Sequence, residues 1–108
     1  MFIVENGFGA VDTLTNDTVE DDYRIDYLQS HIYEMMVAIE EDGVEVMGYT
    51  PWGCIDFISA GTGEMRKRYR LIYVDKNDQG ERSLERYRKK SFYWYQKVIE
   101  TNGENIWV

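Results

Sequence analysis

The chain has 108 residues, enough for one small domain with one core. Its hydrophobic content of 44% and charged content of 30% are those of a globular chain rather than a disordered one, and no apolar run approaches the roughly 20 residues that a membrane span needs. A net charge of −8 argues against a nucleic-acid binder, whose affinity comes from neutralising phosphates.

The first predicted element is Phe2-Ile3-Val4, a short apolar run that ends in Glu5-Asn6-Gly7. An apolar run closed by a turn signal predicts a strand buried on both faces. Glu5 then stands at the carboxyl end of that strand, where α/β folds gather their chemistry. A glutamate there serves as a nucleophile or proton-transfer group, although strand-end acids are often plain caps or turn residues. Residues 8 to 20 are rich in Gly, Asp, Thr and Asn and predict a surface loop. Asp21 and Asp22 are N-cap candidates for a helix whose stripe is Ile25, Leu28, Ile32, Met35 or Met36, and Ile39, with Gly43 as its stop. His31 lies one position off that stripe and has no Cys or His partner at ligand spacing, so it predicts a helix-flank residue, and no metal site or cofactor is expected.

Val44 to Tyr49 predicts a second buried strand, which runs into Thr50-Pro51-Trp52-Gly53-Cys54. Pro51 cannot donate to a ladder, so pairing should stop near it and leave Trp52 at a strand end, either as a core residue or lining a sugar pocket. After an irregular stretch, Leu71-Ile72-Tyr73-Val74 predicts a short strand and Asn77-Asp78-Gln79-Gly80 a turn. Ser83 is expected to cap a second helix to about Thr101, with Leu84, Tyr87, Ser91, Trp94 or Tyr95, and Val98 facing inward and Gly103 ending it. The tail from Glu104 to Val108 gives no strong signal. Strands alternating with helices imply parallel βα units.

Charge is uneven along the chain. Acids crowd residues 12 to 45, and bases crowd Arg66-Lys67-Arg68 with Arg70 and then Arg86-Tyr87-Arg88-Lys89-Lys90. Such a basic cluster can hold a small anion, while its ordinary reading is a solvated face. The lone Cys54 cannot form an internal disulfide, and the N-terminus has no basic-then-apolar export pattern, so the expected location is cytoplasmic.

The order of these segments resembles the C-terminal part of a family 1 glycoside hydrolase, from Phe2 to about Glu104. Ile3-Val4-Glu5-Asn6-Gly7 is similar to the nucleophile segment at the end of the seventh barrel strand. Gly48-Tyr49-Thr50-Pro51-Trp52-Gly53-Cys54-Ile55-Asp56 resembles the eighth-strand segment with its sugar-contacting tryptophan. The fold this implies is α/β, a partial (β/α)₈ barrel: its last two βα units, residues 1 to 108, plus a short extra strand in the long final βα loop. Where β-glucosidases of the family carry a glutamate and a tryptophan, this chain has Ser59 and Ala60, and the set Ser59, Lys67 and Tyr69 is similar to the phosphate-binding set of the 6-phospho-glycosidases. Three donors suit a 6-phosphate, which a glutamate would repel. Phospho-galactosidases place a tryptophan after the serine, so Ala60 points to 6-phospho-β-glucosides. Arg70 departs from the family's usual glycine and is expected either near the phosphate or in solvent.

The resemblance implies a retaining glycosidase with Glu5 as nucleophile, Trp52 and Ala60 as substrate contacts, and a phosphorylated β-glucoside as substrate. The family's acid/base lies in an Asn-Glu dipeptide at the end of the fourth strand, and this chain contains none. A complete barrel takes roughly 250 residues. The first strand begins directly at Met1, so the chain is expected to be a portion of a longer frame, inactive alone and able to self-associate or to pair with the rest of a barrel. A sugar-phosphate binding module and a purely structural α/β chain are the competing readings.

Overall fold

The computed structural model describes residues 1–56, 67–76 and 82–107. In chain order the elements are β1 (Phe2–Ile3), β2 (Ala10–Val11), α1 (Asp22–Asp42), β3 (Gly48–Tyr49), β4 (Lys67–Arg68), β5 (Ile72–Val74), β6 (Arg86–Arg88) and α2 (Lys90–Glu100). β1 and β3 pair in parallel, with Phe2 opposite Gly48 and Ile3 opposite Tyr49. The other two pairs, β2 with β4 and β5 with β6, are antiparallel.

α1 follows the predicted stripe as far as Met36, but Ile39, its last expected member, is 40% exposed. Ile25, Leu28 and Ile32 are buried, and Met35 and Met36 pack half-buried behind them. Their spacing places them on one face of the helix, against Leu71, Trp94, Val98 and Ile106. The helix stops at Gly43, which takes a left-handed φ of 67° so that its N–H and that of Val44 both reach the Ala38 carbonyl. His31 is exposed on the helix flank, with Nδ1 2.8 Å from the Tyr27 carbonyl and its ring stacked on that of Tyr27. Among the described residues no helix is long and apolar enough to cross a membrane.

Several expectations are corrected. The first strand is not buried on both faces: Phe2 is 49% and Val4 72% exposed. Among the described residues its ladder partner is β3 alone, and a parallel strand becomes buried only when neighbours cover both its sides. The second strand is shorter than predicted, since only Gly48 and Tyr49 form the ladder and Met47 is 79% exposed.

The second helix begins at Lys90, not at Ser83. Arg82 and Leu84 have φ values of 112° and 61°, outside the right-handed helical region. Ser83 Oγ donates to Asp75 Oδ2 instead of capping a helix, and Leu84 is exposed. Arg86-Tyr87-Arg88 alternates outward and inward as a strand against β5, so a period of two stood where a helical stripe was expected.

The segment of residues 8 to 20 is also more than a surface loop. It contains β2, Val19 is 1% exposed, and Asp12 is buried. The tail is anchored as well. Ile106 is buried, and its carbonyl accepts hydrogen bonds from Trp94 Nε1 at 2.7 Å and Gln29 Nε2 at 2.8 Å.

Under the helices lies a buried ionic cluster that the solvated reading of the basic runs did not foresee. Arg24 donates to Asp21 at 2.6 Å and to Asp12 at 3.2 Å. Lys89 Nζ sits 2.6 Å from Asp12 and 3.0 Å from Asp56, and Arg68 donates to Asp56 at 3.0 Å. Burial pulls Lys89 below its ordinary range, opposed first by Asp56. Burial also acts to lower Arg24, but Asp12 and Asp21 outweigh it and hold the guanidinium above its ordinary value.

Asp21 is the N-cap residue of α1, as predicted, yet its side chain makes no bond to that helix's own backbone. It reaches α2 instead, where its carboxylate accepts the Ser91 N–H at 2.8 Å and the Ser91 hydroxyl. Removing one partner of a buried pair strands the other, at a cost of about 3–5 kcal/mol. Asp21→Ala should therefore lower the urea midpoint of the chain sharply, by that order of free energy. Lys90→Ala, which breaks the exposed pair with Asp22, should leave the midpoint unchanged. Equal shifts in the two variants would remove the buried cluster from this role.

Candidate functional site

Because β1 and β3 run in parallel, their carboxyl ends emerge on the same edge. Backbone bonds continue past the ladder there: the Thr50 N–H reaches the Ile3 carbonyl at 2.9 Å and the Trp52 N–H reaches the Asn6 carbonyl at 2.6 Å. The Asn6 side chain ties the two strands again by accepting from the Tyr49 hydroxyl at 2.6 Å. Gly7 lets this approach happen, since a Cβ there would sit 2.8 Å from Trp52 Cβ. Trp52 is thus held one strand away from Glu5 by the backbone itself.

A third segment is delivered by the β2–β4 pair. Ala10 lies opposite Arg68 and Val11 opposite Lys67, so the chain that follows Glu5 folds back beside the basic segment. Tyr69, the next residue, then enters the site with its ring against Gly9, where a Cβ would fall 2.4 Å from the ring. The result is an open cleft of about 340 Å³ lined by Glu5, Asn6, Gly7, Tyr27, Trp52 and Tyr69. Larger hollows of about 470 and 640 Å³ lie elsewhere, between apolar side chains of α1, β3 and α2 and of the segment after β3.

Of the residues predicted for the site, Glu5, Trp52 and Tyr69 are brought together. Ser59, Ala60 and the side chain of Lys67 lie outside the described residues. Arg70 matches neither expectation fully. It is half-buried, with its guanidinium over the Trp52 ring at 5.2 Å and Nη1 donating to the Ile55 carbonyl at 3.0 Å. It packs where a Cβ on Gly53 would lie, and Gly53 has a φ of 77°. Burial lowers its pKa from the ordinary range.

Asn6 and Tyr27 were not foreseen as site residues. Tyr27 comes from α1 and stands between Phe8, at 5.2 Å between ring centroids, and His31, at 4.1 Å. Its spacing from Tyr23 and His31, one turn apart on either side of it, is a signal that could have marked an aromatic edge beside the apolar stripe. Chemically, among the described residues the cleft offers one exposed carboxylate, faced by an indole and two phenols. Such a floor suits a sugar ring: the aromatic faces meet its C–H bonds and the carboxylate meets its electrophilic carbon.

The Tyr49 hydroxyl that orients Asn6 is held neutral, with its pKa raised first by burial. A neutral phenol favoured in the fold contributes stability that is fully present below the ordinary tyrosine pKa of about 10 and is lost as pH rises above it. Tyr23, Tyr87 and Tyr95 also have raised pKa values, so alkaline titration by ultraviolet absorbance should show a late-ionising group of tyrosines whose amplitude falls by one tyrosine in Tyr49→Phe. A late amplitude that is unchanged in Tyr49→Phe would refute the assignment.

The family model described as glycosyl hydrolase family 1 matches residues 1–104. The chain is 60% identical over 111 aligned residues to the 6-phospho-beta-glucosidase of Clostridium longisporum, covering 98% of this chain and 23% of that protein. It is 58% identical to the aryl-phospho-beta-D-glucosidase BglA of Bacillus subtilis, covering 98% of this chain and 22% of that protein. Among solved structures, the family 1 β-glucosidase of Thermotoga maritima superposes with a TM-score of 0.83 at 36% identity, over 96% of this chain and 22% of that one. The chain therefore spans under a quarter of the length of the relatives it matches. With strand-end carboxylate, indole and phenol sharing one cleft, and with nearly the whole chain covered by the family model, this protein belongs to glycosyl hydrolase family 1.

Proposed function

We propose that residues 1 to 108 supply two of the eight βα units of a retaining 6-phospho-β-glucosidase, those whose strands resemble the seventh and eighth, and that this portion carries the nucleophile and the phosphate-binding segment. The observation that carries the proposal is the shared cleft of Glu5, Trp52 and Tyr69 at the carboxyl ends of a parallel strand pair. Glu5 attacks the anomeric carbon of a 6-phospho-β-glucoside as the bond to the aglycone oxygen breaks and that oxygen takes a proton from a second carboxyl; water, deprotonated by that same carboxyl, then hydrolyses the glycosyl-enzyme and frees Glu5. Trp52 supports the sugar ring. Lys67, Tyr69 and Ser59 donate to the phosphate, and Ala60 leaves room beside the glucose hydroxyls. The relatives named for phospho-β-glucosides match at up to 60% identity, and the 6-phospho-beta-galactosidase of Streptococcus mutans at 46%, which supports the gluco over the galacto form.

Retaining chemistry needs a second carboxyl about 5–5.5 Å from the nucleophile. Among the described residues Glu5 is the one carboxylate lining the cleft, and no Asn-Glu dipeptide occurs in the chain. The acid/base therefore has to come from further βα units, which also cover Met1, Phe2, Val4 and Met47, all exposed here. A cytoplasmic setting belongs to the same proposal: a sugar phosphate does not cross a bilayer unaided, and Cys54 is an exposed free thiol.

Three outcomes test this. The isolated chain should not turn over a chromogenic 6-phospho-β-glucoside; turnover that disappears in Glu5→Gln would overturn the need for a second carboxyl from elsewhere. With this chain replacing the matching segment of the Clostridium longisporum enzyme, Lys67→Ala should cut kcat/KM on the phosphorylated substrate roughly tenfold to a hundredfold more than on the plain glucoside, the worth of one charge-assisted contact. Equal losses would remove Lys67 from the phosphate. In the same chimera Gly9→Ala should displace the Tyr69 ring and raise KM for the phosphorylated substrate, and an unchanged KM would exclude Tyr69 from binding it.

A further inference from the structure

Tyr69 is a single residue between two buried ionic anchors. On its N-terminal side, Arg24 Nη2 donates to the Arg68 carbonyl at 2.7 Å, the oxygen of the peptide bond that leads into Tyr69. On its C-terminal side, the Arg70 N–H donates to Asp56 Oδ1 at 3.3 Å, from the peptide bond that leaves it. Both anchoring side chains belong to the cluster of Asp12, Asp21, Asp56, Arg24, Arg68 and Lys89, each of them under a tenth exposed. Arg68 adds a third hold by donating to the Val74 carbonyl at 2.8 Å and to the Lys76 carbonyl at 3.0 Å, so the strand after Tyr69 is fixed as well.

We propose that Arg24 and Asp56 are positioning residues for phosphate recognition: they clamp the backbone on both sides of Tyr69 and so set where its hydroxyl stands over the cleft. This rests on the assignment of Tyr69 to the phosphate and adds which groups make that assignment effective. Neither Arg24 nor Asp56 lines the cleft, so neither touches substrate. A lysine in place of Arg24 carries its three donors on one nitrogen and lacks the fork by which Nη1 reaches Asp21 while Nη2 reaches Asp12 and the Arg68 carbonyl. An asparagine in place of Asp56 keeps the shape but withdraws the charge that Arg68, Lys89 and the Arg70 N–H share. In each case an anchor of the Tyr69 backbone is lost or weakened while Glu5 and Trp52 keep theirs, which are the β1–β3 bonds.

The test uses the chimera in which this chain replaces the matching segment of the Clostridium longisporum enzyme. Asp56→Asn and Arg24→Lys are assayed on phosphorylated and plain aryl β-glucosides, alone and combined with Tyr69→Phe. The expected result is a rise of about tenfold in KM for the phosphorylated substrate with a much smaller change in its kcat, and no further rise once Tyr69 is already phenylalanine. Equal losses on both substrates, or effects that multiply with Tyr69→Phe, would overturn the proposal. Should Asp56→Asn fail to fold, Arg24→Lys decides by the same readout, checked by its melting temperature. A Lys67→Ala control that loses equally on both substrates would sink the phosphate assignment itself and this proposal with it. If Lys67→Ala is selective and the two positioning variants are not, the assignment stands and the clamp falls.

Discussion

Among the described residues the fold turns on a buried cluster of three carboxylates and three cations. Asp12, Asp21 and Asp56 face Arg24, Arg68 and Lys89, drawn from the loop around β2, the start of α1, the segment after β3, β4 and the residue before α2. Taking such groups out of water costs several kcal/mol for each ion, and the loss is recovered only where every member meets several partners. Here most do: Arg24 binds two carboxylates and a carbonyl, and Asp56 accepts from Arg68, Lys89 and a backbone N–H. The apolar core of Ile25, Leu28, Ile32, Leu71, Trp94, Val98 and Ile106 supplies the drive to collapse. The charges determine which segments meet, because a charge in the wrong place has no substitute partner.

The cleft inherits its geometry from two sources. Parallel pairing of β1 and β3 aligns Glu5 with Trp52, and Asn6 reinforces that pairing by backbone and side chain. The ionic cluster brings in Tyr69 from a distant stretch of chain. Glu5 and Tyr69 thus hang on different supports.

Much of this was legible in the residues. The stripe of α1 as far as Met36, its glycine stop and the strand at residues 72–74 follow from local patterns, and the meeting of Glu5, Trp52 and Tyr69 was implied by the family resemblance. What was not legible depended on contacts between residues far apart in the chain. Nothing near Lys89 or Arg68 in sequence tells that Asp12 and Asp56 will bury them, so their runs looked like solvated surface. Ser83 looked like a helix cap because β6 carries Arg-Tyr-Arg, too short for its alternation to stand out from the helix that follows. The tail looked empty because Ile106, its buried apolar residue, stands outside any periodic pattern, and the bonds to its carbonyl are ones any residue could accept.

Asp21 has a consequence for how the chain acquires its shape. α2 has 11 residues, at or below the length at which a helix holds in water unaided. Its first two amide groups are met by the stretch just before α1: Lys90 N–H by the Val19 carbonyl and Ser91 N–H by Asp21. About seventy residues of intervening chain must close into a loop before the later helix has a beginning. The two helices are therefore acquired together, and on a ribosome that order leaves α1 waiting, with Asp21 paired to Arg24 but not yet to Ser91, until nearly the whole segment has been made.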